Sequence, residues 1–314
     1  MTNLMLRVLV AIVGIPLIVT VTLSGGFWFL GFVIVVSTLA LHEFYRLAGA
    51  KGFAPQVGTG LVFGLCVTLT FFHARLQMLL LEVLHSHGMS SPLPTMAQTL
   101  LILTLLCLPL LLLIELFRNK PGALVNIAVT IAGVAYVSLF FGTLVGLREL
   151  FVPGDFPISM YFPVYGPNVP EPIVSTVYQW GGLTVLSVFV AIWVCDSAAY
   201  FAGRAFGRHK LFPRVSPHKS WEGAFAGFMA ALLVFLAARV WVLPYLTVAS
   251  ALVCGIIVGV FGQLGDLVES LLKRDAGMKD SSALIPGHGG VLDRFDSLLF
   301  VAPLVFVYLD FVVF

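Results

Sequence analysis

Asp293 and Asp296 stand three residues apart, which puts both carboxylates on one face of a helix's first turn. Asp266 and Glu269 close the preceding apolar run. A helix N-terminus favours each acidic residue alone. Asp266, Asp293 and Asp296 together repel one another unless a cation sits among them. Hard oxygen ligands that leave room for a substrate phosphate describe a magnesium site. Their charge exceeds that of one dication, so a second, monovalent cation stays open. Between the two acidic groups runs "KRDAGMKDSSALIPGHGG". Gly287, Gly289 and Gly290 let the backbone bend and bring its N–H groups close to a phosphate. Lys273, Arg274, Lys279 and Arg294 surround that turn with positive charge. The stretch is suited to holding a metal-bound phosphate chain. It is not a P-loop, because GxxxxGK[ST] does not occur, and no heme, flavin or zinc motif is present.

Two other clusters carry polar chemistry. In "VCDSAAYFAGRAFGRHK", Asp196, Tyr200 and Arg204 follow one another at helical spacing on one face. They form either an Asp–Arg tie between helices or the lining of a polar cavity. The loop "GRHKLFPRVSPHKSWEG" crowds Arg208, Lys210, Arg214 and Lys219 together. Such a loop meets anionic headgroups or binds a polyanion. Its "SPHKSWEG" end favours the polyanion, because a turn with two serines that opens a helix is a ready anion site.

These clusters sit in an apolar chain. The 314 residues are 60% hydrophobic and 10% charged, where soluble domains carry about a quarter charged. The mean hydropathy is +1.05. Continuous apolar runs long enough to cross a bilayer imply an all-α integral membrane protein. Nine spans are expected, near 5–23, 27–42, 57–73, 98–117, 122–146, 180–204, 223–241, 245–265 and 295–314. The first is read as a retained span rather than a signal peptide, since no A-x-A site follows it. With the N-terminus in the cytoplasm and the C-terminus outside, fourteen of the seventeen Lys and Arg residues fall inside, leaving Arg75, Arg148 and Arg239 outside. The polar site then lies at the cytoplasmic ends of the last four helices. The segments 74–97 and 147–179 are read as outer loops. His73, His85 and His87 in the first are expected to be solvated rather than metal-bound. The four cysteines lie in apolar runs with no CxxC and suggest neither a disulfide framework nor a metal site. No repeat or linker appears, so residues 1–314 are expected to form one membrane domain, with N-terminal helices over 1–146 and the catalytic helices and loops over 180–314.

The residues also resemble a known family. "SLLKRDAGMKDSSALIPGHGGVLDRFD", residues 270–296, is similar to the long signature of the phosphatidate cytidylyltransferases, or CDP-diacylglycerol synthases, of bacterial type. Residues 196–223 resemble the second landmark of bacterial members, and "RVLVAIVGIPLIV" resembles their opening. The resemblance implies that CTP and phosphatidate react with a divalent cation to give CDP-diacylglycerol and pyrophosphate. It implies Asp266, Asp293 and Asp296 as metal ligands. Lys273, Arg274, Lys279, His288 and Arg294 would form the phosphate-binding and catalytic surroundings. Asp196, Arg208, Ser216, Lys219, Ser220, Gly289 and Gly290 would contact substrate. Where the family often has two basic residues and a Thr, this chain has His218, Lys219 and Ser220. The expected setting is the bacterial cytoplasmic (inner) membrane, with the site facing the cytoplasm, membrane lipid around it and no nucleic acid. A homodimer stays open. Another magnesium-dependent phospholipid transferase is a rival, but its DGxxAR core is not found. An ion-coupled transporter would carry its charge near the midplane, whereas charge here gathers in loops and helix ends. A lipid-binding scaffold without turnover is the third rival, and the intact acidic and basic residues argue against it.

Overall fold

The computed structural model describes residues 3–88, 92–153, 155–165 and 168–314. Its framework is helical: α1 (Asn3–Ser24), α2 (Gly26–Ala50), α3 (Val57–Thr70), α4 (His73–Ser86), α5 (Met96–Arg118), α6 (Ala123–Glu149), α7 (Glu171–Phe206), α8 (Trp221–Trp241), α9 (Val248–Asp275) and α10 (Leu292–Val313). Seven of these helices are long and apolar enough to cross a membrane, or up to eight if α3 and α4, bent by 77°, make one span. The apolar part of α1 is shorter, Val8–Ser24. The protein is therefore an all-helical integral membrane protein.

Two segments differ from the expected layout. Much of the 74–97 loop is the helix α4, which buries none of its residues. Its leucines alternate with Arg75, Gln77 and Glu82 at a spacing that suits a helix with one apolar side. The last part of the 147–179 loop is the first part of α7. Pro172 sits in that helix's opening turn, where the missing N–H costs nothing. Gly154, Gly166 and Pro167, and Met89–Ser91, lie outside the described residues. At 36 residues, α7 is about 54 Å long, well over the ~30 Å of a hydrocarbon core.

Contacts divide the chain into two compact units, Ser24–Gly181 and the combination of Met1–Leu23 with Gly182–Phe314. In the Ser24–Gly181 unit, Tyr45 is the central aromatic residue. It is buried, and its ring lies against Gly60 and Gly133, where any side chain would collide with it. Its hydroxyl donates to the Thr130 carbonyl at 2.8 Å. Below it, the Glu115 carboxylate accepts from Gln56 Nε2 at 2.8 Å, Asn126 Nδ2 at 2.9 Å and Arg118 Nη1 at 2.7 Å. Arg118 also donates to the Ala54 carbonyl at 2.9 Å, which closes the α2–α3 turn onto α5. A second polar cluster joins Arg75 to Glu149 at 2.6 Å, and Glu149 also accepts from the Gly26 amide and the Tyr178 hydroxyl, each at 3.0 Å.

In the other unit, small residues set the spacing. Where helix association gains little from the hydrophobic effect, close backbone approach replaces it. A Cβ on Gly227 would stand 2.8 Å from the Cys195 carbonyl oxygen, and one on Gly223 would stand 2.6 Å from that of Ala199. So α8 lies directly on α7 beside Asp196. A Cβ on Gly265 would stand 2.6 Å from the Asp296 carbonyl oxygen. That glycine brings Asp266 on α9 next to the first turns of α10. A π-helical turn over Val258–Gly262 precedes Gln263, a distortion often found at functional sites.

Candidate active site

Between α7 and α8 the chain forms a hairpin, β1 (Lys210–Phe212) against β2 (Ser216–Ser220), antiparallel with Lys210 opposite Ser220. Ser220 ends the hairpin and caps α8, its hydroxyl accepting from the Gly223 amide at 3.2 Å. Glu222 ties down the hairpin's start. It accepts from the Arg208 amide at 3.1 Å and meets His209 Nδ1 at 2.6 Å. The basic loop is thus a folded structure with a fixed position over the helix ends, not a loose polybasic run.

Beneath the hairpin lies a cavity of about 640 Å³. Asp196, Tyr200 and Arg204 line it from α7, Lys210, His218 and Lys219 from the hairpin, and Gln263 and Asp266 from α9. Arg204 donates to the Tyr200 hydroxyl at 3.2 Å, so the expected helical face is formed. Among the described residues Asp196 makes no ion-pair contact with Arg204, and it is exposed to the cavity. Lys219 reaches across the cavity to Asp266 at 2.6 Å. Asp196 and Asp296 both lie within electrostatic reach of Asp266 and of each other. Three carboxylates therefore share one region in which Lys219 is the nearest counter-charge by contact.

Asp293 is placed differently. Its side chain is 2% exposed and sits 2.7 Å from Lys273 Nζ. The same ammonium meets the fully buried Glu269 at 2.5 Å. Asp293 also accepts from the Ser281 amide and hydroxyl, each at 3.0 Å, and from the Gly290 amide at 2.7 Å. The turn that delivers Gly290 needs Gly287 and Gly289 at φ 73° and 85°, a region other residues rarely adopt.

The structure therefore brings Asp196, Lys219, Ser220 and Asp266 to one cavity, with Asp296 beside them. Lys273, Asp293 and Gly290 are joined in a separate buried clasp. Ser216 is a strand residue paired with Phe212. Arg208, Lys279 and Arg294 are exposed, as is Arg274 at the end of α9 apart from a long contact with the Met278 carbonyl, 3.5 Å. The His288 amide donates to the Ile285 carbonyl at 2.9 Å, and the Ile285 amide donates to the Gly289 carbonyl at 2.8 Å. Both bonds close the glycine turn. Gln263 went unnoticed in the sequence. Its amide donates to the Ala224 and Gly259 carbonyls at 3.0 and 2.6 Å and lines the cavity. The available signal was a polar residue three positions before Asp266 in an otherwise apolar span.

Among the described residues no three His, Cys, Asp or Glu side chains are already gathered at metal-ligand spacing. The donor chemistry of the cavity still suits a hard dication. One or two carboxylates with the remaining positions left to phosphate and water is how magnesium is usually held. Asp196, Asp266 and Asp296 fit that requirement; Asp293, the third ligand that the resemblance implies beside Asp266 and Asp296, is not in the cavity lining and is hydrogen-bonded to Lys273, Ser281 and Gly290.

Comparison with known proteins covers nearly the whole chain. A model of the cytidylyltransferase family matches residues 5–312. The chain is 34% identical over 309 residues to a phosphatidate cytidylyltransferase of the cyanobacterium Synechocystis, covering 96% of this chain and 95% of that protein. It is 46% identical over 125 residues to phosphatidate cytidylyltransferases of Staphylococcus epidermidis and Staphylococcus aureus, covering 40% of this chain and 48% of each relative.

Proposed function

The chain belongs to the cytidylyltransferase family, and we propose on that footing that it makes CDP-diacylglycerol from CTP and phosphatidate at the cavity under the β1–β2 hairpin. The observation that carries the site assignment is the pairing, in one cavity, of Lys219 with Asp266 beside Asp196, on helices otherwise apolar. Charge on membrane-spanning helices is costly and marks functional sites.

The chemistry is a single displacement. A phosphate oxygen of phosphatidate attacks the α-phosphorus of CTP. A new P–O bond forms, and the bond from that phosphorus to the oxygen bridging to the β-phosphorus breaks. Its electrons leave with pyrophosphate. The nucleophile is already an anion, so no strong base is needed, and the difficulty lies in bringing two anions together. Lys219, Lys210 and Arg204 line the cavity and supply the positive charge that offsets this repulsion. Ser220, at the base of the hairpin, fixes where Lys219 stands. A magnesium ion held by Asp266 and Asp296, with Asp196 near, would neutralise phosphate charge and favour the leaving group. Gln263 holds α9 to α8 and so keeps Asp266 in register with Lys219.

The setting we propose is the bacterial inner membrane, nine passes with the N-terminus inside and the site facing the cytoplasm. The supporting observation is the bias of basic residues, fourteen of seventeen on one side of that arrangement. CTP then arrives from water and phosphatidate from the leaflet.

The test is conversion of labelled CTP by the purified protein in detergent, with phosphatidate and magnesium, with and without EDTA. The expected result is CDP-diacylglycerol and pyrophosphate in equal amounts, lost when any component is omitted or EDTA is added. Turnover that persists in EDTA would remove the cation from the reading. Absence of both turnover and CTP binding in a folded sample would remove the enzyme reading.

A further inference from the structure

We infer that Asp293 is a positioning residue, the pin that fastens the 276–291 segment and Lys273 to α10, and not a ligand of the cation. A carboxylate offers about four lone-pair directions. Both oxygens are engaged: Oδ2 accepts from the Ser281 amide and hydroxyl at 3.0 Å each and the Gly290 amide at 2.7 Å, and Oδ1 from Lys273 Nζ at 2.7 Å and, more weakly, the Ser281 amide at 3.3 Å. A cation could reach these oxygens only by displacing one of those donors. Ser281 is fully buried and Gly290 buried, so a displaced amide would be left without water or partner, which is costly. Space is closed as well, since a Cβ on Gly289 would stand 2.6 Å from Asp293 Oδ2. Among the described residues Asp296, three residues on, accepts only from the amide of its own neighbour Ser297, at 2.7 Å. The two carboxylates share a helix turn and differ in what is left to spend.

The pin joins three parts of the chain. Glu269 and Lys273 come from the end of α9, Asp293 from the start of α10, and Ser281 and Gly290 from the segment between them. Lys273 is the strut, its ammonium in contact with both Glu269 and Asp293. The fastened segment carries Lys279 and His288, so the pin decides where those groups stand before substrate arrives. Its catalytic consequence rests on the cytidylyltransferase reading, but the pin itself does not. It is measured below without substrate or cation, so the two can fail separately.

The experiment is hydrogen–deuterium exchange of peptides covering 276–291 in the EDTA-treated, full-length protein, for wild type, Asp293→Asn and Ser281→Ala. Exchange in Asp293→Asn is expected to quicken by about tenfold or more, and in Ser281→Ala by less, because charge-assisted bonds outweigh a single hydroxyl donor. Mn2+ binding, read by its electron paramagnetic resonance signal, is expected to stay within about tenfold of wild type in Asp293→Asn and to be lost in Asp296→Asn. Per folded molecule, kcat of Asp293→Asn falls while KM for CTP holds within about threefold, a split that lost stability alone would not produce. Exchange in Asp293→Asn as slow as wild type overturns the inference, and so does loss of Mn2+ binding beyond that limit. Should Asp293→Asn not fold, Ser281→Ala decides by the same exchange, faster in support and unchanged against. If wild type itself binds no Mn2+, the cation reading of the cavity falls and exchange still decides the pin.

Discussion

The Glu115 cluster of the Ser24–Gly181 unit and the Asp266 cluster of the other unit are both charged groups among apolar helices, and they are built on opposite terms. Glu115 accepts from Gln56, Asn126 and Arg118, and Arg118 is in turn tied to the backbone of the α2–α3 turn. Its oxygens are occupied. Asp266 has one lysine and a long contact from Ser270 at 3.3 Å, faces a cavity, and stands in the field of two more carboxylates. The first arrangement gains its stability from completeness. The second leaves carboxylate oxygens with few donors and open to the cavity, with Lys219 as the counter-charge in contact. Burial and charge alone do not distinguish the two clusters; the number of donors on their oxygens does.

The comparison can be broken by substitution. Asp296→Asn is expected to lower turnover by about a hundredfold or more, with the thermal midpoint in detergent unchanged; equal activity would show the cavity carboxylates to be idle. Glu115→Gln should do the reverse. Removing one partner from a buried, charged network costs about 3 kcal/mol, read as a lower unfolding midpoint, while activity per folded molecule holds. Lys219→Ala is expected to weaken kcat/KM by about tenfold, because it removes the cation in contact with Asp266. Arg214→Ala is the smallest. Arg214 is exposed and does not line the cavity, so activity should stay within about twofold. A large loss there would mean that the whole hairpin surface, and not its inner edge, handles substrate.

Much of this was legible beforehand. The apolar runs marked the helices, because a membrane span must satisfy its backbone internally. Helical spacing put Asp196, Tyr200 and Arg204 on one face, as found. What spacing could not tell was the fate of each oxygen. Asp293 and Asp296 look alike in sequence, and only the path of the 276–291 segment, through glycines at positive φ, delivers Ser281 and Gly290 to one of them. The hairpin was hidden because "HKLFPRVSPHKS" has too few apolar residues to show alternation. The helix α4 is hard to read from sequence because its leucines stand among Arg75, Gln77 and Glu82 and none of its residues is buried. Gln263 was missed because its partners are backbone carbonyls, which no pattern of side chains announces.

The most direct measurement is pyrophosphate release and CDP-diacylglycerol formation by wild type, Asp296→Asn and Glu115→Gln side by side, at equal concentrations of folded protein with CTP, phosphatidate and magnesium. The account predicts equal release from wild type and Glu115→Gln, and release from Asp296→Asn lower by about a hundredfold. A folded Glu115→Gln that is inactive, or an Asp296→Asn as active as wild type, would contradict it.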